Sequence, residues 1–165
     1  MPDYLNKKFL INLFLIIIIF SLDRISKIYI ISQSEKNLFN DLFQSKFLNI
    51  SLVWNEGIAF GLLSFESIQF YNILTFFILI VVIVIFFMIL RSEGLKKYSL
   101  LMILGGALGN LYDRIFFKAV PDFIDFHIGN FHWFIFNVSD IFITFGVILM
   151  IVLELISNKR ENINE

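Results

Sequence analysis

The amino-acid sequence predicts an all-α membrane protein with four transmembrane helices and a small extracytoplasmic β element on the membrane surface. Hydrophobic residues make up 58% of the 165 residues and charged residues only 16%. In ordinary soluble domains about 45–50% of the residues are apolar and about 25% are charged. The mean hydropathy is +0.82. A soluble domain of this size could not cover so much apolar surface with so few charges, so lipid must surround most of the chain.

Four apolar stretches are long enough to cross a bilayer, which requires about 20 mostly apolar residues. We predict one membrane-embedded domain, 1–165, with spans at 9–31, 68–90, 98–117 and 133–157. The second span is the clearest, because residues 73–90 carry no charge. Lys7 and Lys8 precede the first span as in a signal peptide, but Asp23 and Arg24 stand where a small-residue cleavage site belongs. We therefore expect a retained helix.

The placement of the Lys and Arg residues favours an orientation with both termini in the cytoplasm. Seven of the thirteen Lys and Arg residues lie on the side of the termini, where they are concentrated in short segments. Of the six Lys and Arg residues on the other side, three lie beside intramembrane polar residues. A net charge of −1 gives no reason to expect a nucleic-acid partner. The absence of Cys from the sequence excludes disulfides, a thiol nucleophile and a thiolate metal site.

Two segments outside the predicted spans carry signs of local structure. From Leu48 to Trp54 apolar and polar residues alternate, which predicts a strand with one face on an apolar surface. The residues Asn55, Glu56 and Gly57 then supply a turn. The second segment, 118–132, is expected to form a compact loop with a short strand and a turn.

Polar residues within the predicted spans gather at one membrane face. They come late in the first and third spans and early in the fourth: Asp23, Lys27, Asn110, Asp113, Arg114, Asn137 and Asp140. Taking Trp133 as part of the aromatic belt, we expect Asp140 about 10 Å below it. Polar residues can also hold helices together in a membrane, but three groups at one depth favour a functional site, since buried charges are costly there.

A pair of carboxylates is the chemistry that these residue types suit best. His127 and His132 lie in a loop with no Ser or Thr spaced to meet them, and they lack the Cys or carboxylate spacing of a metal site. We therefore predict neither a metal nor a cofactor. Asp140 is fixed on a helix, and either Asp122 or Asp125 can approach it from the preceding loop. Two adjacent carboxylates share a proton, and such a pair can activate water without a metal.

Two other classes of membrane protein remain open on these residues. A small proton-coupled carrier or channel also places carboxylates in a helix bundle. Its polar residues should follow a path through both leaflets, whereas here Glu154 alone lies near the inner side. A structural assembly protein would explain the glycines of the third span as close helix packing, but not the Asn, Arg and Asp residues at one level.

Five motifs, in order from about residue 10 to 157, resemble those of the bacterial lipoprotein signal peptidases (signal peptidase II). They are Asp23–Lys27, Asn55–Phe60, Gly105–Arg114, Val120–Phe123 and Phe136–Asp140. The resemblance implies that Asp122 and Asp140 are a catalytic dyad. It also implies supporting or substrate-binding roles for Asp23, Lys27, Asn55, Gly57, Asn110, Arg114 and Asn137. The sequence departs from the family's usual residues at Arg24, Pro121 and Ser139, none of which removes a catalytic group.

By the same resemblance, the substrate is a prolipoprotein whose cysteine already carries a diacylglyceryl group, and the enzyme cuts just before that cysteine. The resemblance implies the bacterial inner membrane as the location, with membrane lipid as a partner and the dyad near the outer leaflet. We expect a monomer. Among the supporting residues, Asn55 is expected to hold the substrate backbone, and Arg114 to brace the loop that carries Asp122.

Overall fold

In the computed structural model, residues 2–36, 41–57 and 68–164 are described, and they form four helices and one small sheet. The elements in chain order are α1 (Pro2–Lys36), β1 (Asp41–Gln44), β2 (Leu48–Asn55), α2 (Ile68–Arg91), α3 (Gly94–Phe116), β3 (Val120–Ile128), β4 (Phe131–Phe136) and α4 (Val138–Asn164). The predicted combination of a mainly helical chain with a small β element is confirmed. The helix α1 continues without a break through Asp23 and Arg24.

Three of the described helices are long and apolar enough to cross a membrane. The spans are Lys7–Lys36, Tyr71–Arg91 and Val138–Ser157, with mean hydropathies of 2.1, 3.5 and 2.3. Their large side chains face outward, as Phe76 and Phe77 of α2 illustrate with 63% and 62% exposure. The helix α3 is less apolar because it holds charged residues near both ends and three glycines in its middle. The predicted span at 98–117 therefore stays a prediction.

The helix α3 lies at the centre of the bundle and packs against α1, α2 and α4. Its glycines permit close approach of the neighbouring helices. A Cβ atom added at Gly105 would lie 2.9 Å from Cβ of Ile19 on α1, and one at Gly106 would lie 2.5 Å from the backbone oxygen of Ser139 on α4. Small residues at such crossings let helix backbones approach in a membrane.

The hydrophobic core of the bundle lies between α3 and α2. It contains Leu100, Leu101, Leu104 and Leu111 of α3 and Val82 and Ile89 of α2.

The four strands form an antiparallel sheet in the order β1-β2-β3-β4. The predicted strand at 48–54 is confirmed as β2. The segment 118–132 is more regular than expected, since most of it belongs to a hairpin in which His127 is paired with His132. The turn between β3 and β4 contains Gly129 with φ +60°, a left-handed conformation that glycine adopts without strain.

The start of the fourth predicted span is wrong. Residues 133–136 belong to β4, and α4 begins at Val138. Asp140 is therefore the third residue of the helix, and the expected depth of about 10 Å below Trp133, which assumed one continuous helix, does not hold. The aromatic run of β4 is as apolar as a membrane span, and hydropathy alone does not distinguish the two.

Candidate active site

The first turn of α4 fixes Asp140 through a reciprocal pair of hydrogen bonds. The side-chain oxygen Oδ1 of Asn137 accepts a hydrogen bond from the backbone N–H of Asp140 (3.2 Å). The backbone N–H of Asn137 donates to Oδ2 of Asp140 (3.1 Å). This arrangement is a capping box, in which Asn137 is the N-cap and Asp140 occupies the third helical position. It sets the position of the Asp140 carboxylate relative to the helix start.

The same Asn137 side chain also holds Asp122 on β3. Its Nδ2 donates to Oδ1 of Asp122 at 2.6 Å, and the whole residue is buried. The other oxygen of Asp122 accepts a hydrogen bond from Nδ2 of Asn55 at 2.8 Å. Asn55 reaches Asp122 because β2 pairs with β3 in a register that places Asn55 opposite Val120. Its Oδ1 accepts from the backbone N–H of Gly57 (2.9 Å), which forms the predicted turn.

Asp122 and Asp140 are thus brought together around Asn137, whereas Asp125 is not part of this group. Along a strand, residues three apart face opposite sides. Accordingly, the Asp125 carboxylate contacts Nδ1 of His132 (2.8 Å) and Nδ2 of Asn49 (3.4 Å). The choice between Asp122 and Asp125 that the residues alone left open therefore falls on Asp122 by position.

Burial raises the pKa of Asp122 to about 7, and repulsion by the Asp140 carboxylate adds to the effect. The hydrogen bonds from Asn55 and Asn137, and the positive charge of Lys27, oppose this rise. The net result is a carboxyl group that holds a proton near neutral pH, as a general acid requires.

A chain of polar contacts links Asp140 to α1. Asn110 donates from Nδ2 to Oδ1 of Asp140 (2.8 Å), and its Oδ1 accepts from Nζ of Lys27 (2.9 Å). The Lys27 ammonium also lies 2.6 Å from Oδ2 of Asp113 and 3.0 Å from Oδ2 of Asp23. Lys27 is fully buried, so these partners balance a charge that would otherwise be costly.

Asp23 joins α1 to the start of α4. Its Oδ1 accepts a hydrogen bond from the backbone N–H of Ser139 (3.0 Å), one of the free donors of the first helical turn. Arg24 completes the network, because its guanidinium contacts Asp23 (2.9 Å) and Asp113 (2.6 Å). The charges of two acidic and two basic side chains therefore cancel within this network. The sequence marked Arg24 only as a departure from the family's usual residue, and its partner Asp113 is 89 residues away, so no local pattern reveals the pair.

Arg114 contacts a different segment from the one predicted. Its Nη2 donates to the backbone oxygen of Gly57 (3.0 Å), and Nη1 donates to that of Asn110 (3.4 Å). It thus holds the turn after β2 rather than the strand that carries Asp122. The remainder of the Asn55–Phe60 motif, Ile58–Phe60, lies outside the described residues.

An aromatic groove of about 670 Å³ leads to Asp140. Its lining includes Phe126, Phe131, Trp133, Phe136, Ile141 and Phe145, with Asp140 at the same surface. Trp133 is 65% exposed and Phe131 64% exposed. The groove is therefore an apolar surface open to the surroundings and continuous with one of the two carboxylates.

A second polar cluster, which the sequence did not predict, lies on the β3–β4 hairpin. Asp125, His127 and His132 offer ligand atoms that all lie within 4.8 Å of one another. The signal in the sequence is weak: two residues share a strand face at i and i+2, and the third joins them only through the hairpin register. Histidine and carboxylate are ligands that divalent transition metals accept.

Comparison with known proteins places this chain in a family. The family model described as signal peptidase (SPase) II matches residues 15–156. The chain belongs to the signal peptidase II family. A lipoprotein signal peptidase of Pelagibacter ubique is 46% identical over 94% of this chain and 93% of its own length. That of Anaplasma marginale is 36% identical over 93% of this chain and 89% of its own.

Solved structures agree with this assignment. One described as a bacterial membrane enzyme has a TM-score of 0.71 and 29% identity, with 90% of each chain covered. A second has a TM-score of 0.66, also at 29% identity. As a member of the signal peptidase II family, the protein is a membrane-embedded peptidase with several apolar helices. The proton-coupled carrier considered on sequence grounds is not supported.

Proposed function

We propose that Asp122 and Asp140 form an aspartic-type catalytic dyad that removes the signal peptide from diacylglyceryl-modified prolipoproteins by cutting just before the lipidated cysteine. The observation that carries this proposal is the position of Asn137. This buried residue binds one carboxylate with its side-chain amide and the other with its backbone N–H. A single residue thus contacts both acids and positions them relative to each other.

Two adjacent carboxylates share one proton, so one acts as the acid and the other as the base. Burial raises the pKa of Asp122 to about 7, and we assign the shared proton to Asp122 and the role of base to Asp140. Asp140 takes a proton from water as the water oxygen attacks the scissile carbonyl carbon, and Asp122 gives its proton to the carbonyl oxygen. In the second step the tetrahedral intermediate returns the Asp122 proton, the carbon–nitrogen bond breaks, and Asp140 protonates the leaving amine.

The supporting residues position this pair rather than react. Asn110 and Lys27 orient Asp140 from α3 and α1. Asn55 orients Asp122, and Arg114 holds Gly57 at the end of β2. Because the amide of Asn55 is already bound to Asp122 and to Gly57 N–H, its contribution to substrate binding is indirect.

The aromatic groove supplies the route for a lipid-modified substrate. Its apolar lining and outward opening suit acyl chains that arrive from the bilayer, and Asp140 is one of its lining residues. We place the sheet and the dyad at the outer leaflet of the bacterial inner membrane, with α3 as the fourth membrane helix and both termini in the cytoplasm. We also propose that the enzyme acts as a monomer.

A reconstituted cleavage reaction tests the proposal. Purified protein in detergent is given a test prolipoprotein with and without the diacylglyceryl group, and the products are identified by mass. We expect cleavage at the bond before the modified cysteine and a strong preference for the lipidated form. Cleavage at another bond, or equal rates on both forms, would contradict the proposed specificity.

A further inference from the structure

The cluster of Asp125, His127 and His132 lies on the β3–β4 hairpin, outside the dyad. His132 Nδ1 is 2.8 Å from Oδ2 of Asp125, and His127 Nδ1 is 4.0 Å from the same oxygen. The two imidazole rings lie nearly parallel with centroids 5.0 Å apart. None of these side chains contributes to the hydrogen bonds of Asp122 or Asp140 described above.

One ring nitrogen in this cluster has no hydrogen-bond partner among the described residues, and it lies near a carboxylate that is almost buried. The Nδ1 atom of His127 is buried and has no hydrogen-bond partner in the part of the chain that the structure describes. The Asp125 carboxylate is only 8% exposed, and its ion-pair partners among the described residues are the two imidazoles. Asn49 adds one long contact of 3.4 Å from β2. A buried carboxylate beside a buried, unpaired ring nitrogen is costly without a cation between them.

We infer that Asp125, His127 and His132 bind a divalent transition metal ion, with Zn²⁺ as the ion that this ligand set suits. Zinc takes imidazole nitrogen and carboxylate oxygen at about 2.0–2.2 Å in tetrahedral geometry, so its ligand atoms lie about 3.3 Å apart. The observed separations of 2.8 Å and 4.0 Å lie on either side of this value. Small side-chain rotations close the site. His132 is 53% exposed, which leaves a path for the ion and a position for a water ligand.

The composition of the chain makes the inference simple to test. The sequence has two His residues and no Cys, so these two imidazoles are its only imidazole or thiolate ligands. The experiment is zinc titration calorimetry on the full-length protein in detergent after removal of any polyhistidine tag, with Co²⁺ absorption as a second readout. We expect one Zn²⁺ per chain, a tetrahedral Co²⁺ spectrum and a higher melting temperature with zinc.

Single substitutions locate the ion. His132→Asn and Asp125→Asn should each weaken zinc binding by at least about tenfold, and His132 is exposed enough that its variant should fold. Asp122→Asn, on the same strand but the opposite face, is the matched control and should leave the zinc affinity unchanged. Absence of saturable binding to the wild type, or binding that persists without both histidines, would overturn the inference. Loss of binding in Asp122→Asn alone would assign the ion to the dyad and also overturn it.

Discussion

Asn137 combines two tasks that different substitutions can separate. As an N-cap it starts α4, and as an amide donor it holds Asp122 at 2.6 Å. Serine caps helices as well as asparagine does, but its shorter side chain cannot also reach Asp122. Asn137→Ser should therefore keep the helix cap and lose only the stability that the Asp122 contact supplies, while activity falls about 100-fold.

Asn137→Ala is the matched comparison, because alanine removes the cap as well as the amide. It should lose about 1 kcal/mol of stability in addition to the activity. Melting temperature and cleavage rate are measured for both variants. Equal activity of the serine variant and the wild type would show that the amide contact does not matter for turnover.

Asp122 should give a pH dependence of stability that its amide variant lacks. Its pKa rises from 3.8 to about 7 on folding, so the folded state binds the proton more tightly than the unfolded state. The resulting stabilisation is complete below about pH 4 and is lost as the pH rises towards 7. Melting temperatures between pH 4 and 7 should fall more steeply for the wild type than for Asp122→Asn, and cleavage should decline above about pH 7. Parallel melting curves would rule out the raised pKa.

At the scale of elements, the contacts of α3 with α1 and β2 predict different effects for two adjacent residues. Asp113 is buried between Lys27 and Arg24. Asp113→Asn leaves both cations with Asp23 as their one described acidic partner, so it should cost about 3–5 kcal/mol of stability. Arg114 holds the turn at Gly57 through its guanidinium. Arg114→Lys keeps the charge but loses the planar donor geometry, so we expect about 100-fold lower activity with a smaller change in melting temperature.

Activity and melting temperature measured on both variants decide between these roles. Near-normal turnover of Arg114→Lys would show that positive charge alone suffices at this position. A normal melting temperature for Asp113→Asn would show that the buried charges are neutralised in another way.

Elements with a local sequence pattern form as predicted, whereas features that depend on long-range pairing do not follow from the sequence. The uninterrupted apolar run of α2 and the alternation in β2 are local patterns, and both elements form as predicted. The predicted start of the fourth helix is misplaced because residues 133–136 of β4 are all aromatic or aliphatic, and hydropathy does not reveal the helix cap at Asn137. The face of β3 on which Asp122 lies depends on its pairing with β2, which no local pattern specifies. The resemblance to the signal peptidase II motifs, and not the periodicity of the sequence, identifies Asp122 rather than Asp125 as the predicted partner of Asp140.

At the scale of the whole molecule, the proposed orientation predicts which sites are accessible from each side of the membrane. Because the sequence has no Cys, single cysteines can be introduced without background. Those at positions 97 and 159 should react only from the cytoplasmic side, and one at position 46 only from the outside. A membrane-impermeant thiol reagent on intact cells and on inverted vesicles makes the measurement. The reverse pattern would contradict an outer-leaflet site.

The fold brings Asp122 and Asp140 together around Asn137, and we propose these two as the catalytic pair. Asp125, three residues away on the same strand, lies outside this pair. The most direct measurement is the cleavage rate of a diacylglyceryl-modified test prolipoprotein by Asp122→Asn, Asp140→Asn and Asp125→Asn, each checked for folding by its melting temperature. We expect the first two variants to lose about 100-fold to 10,000-fold in rate, while Asp125→Asn stays within a few-fold of the wild type. Loss of activity in Asp125→Asn with turnover retained in Asp122→Asn would contradict the account.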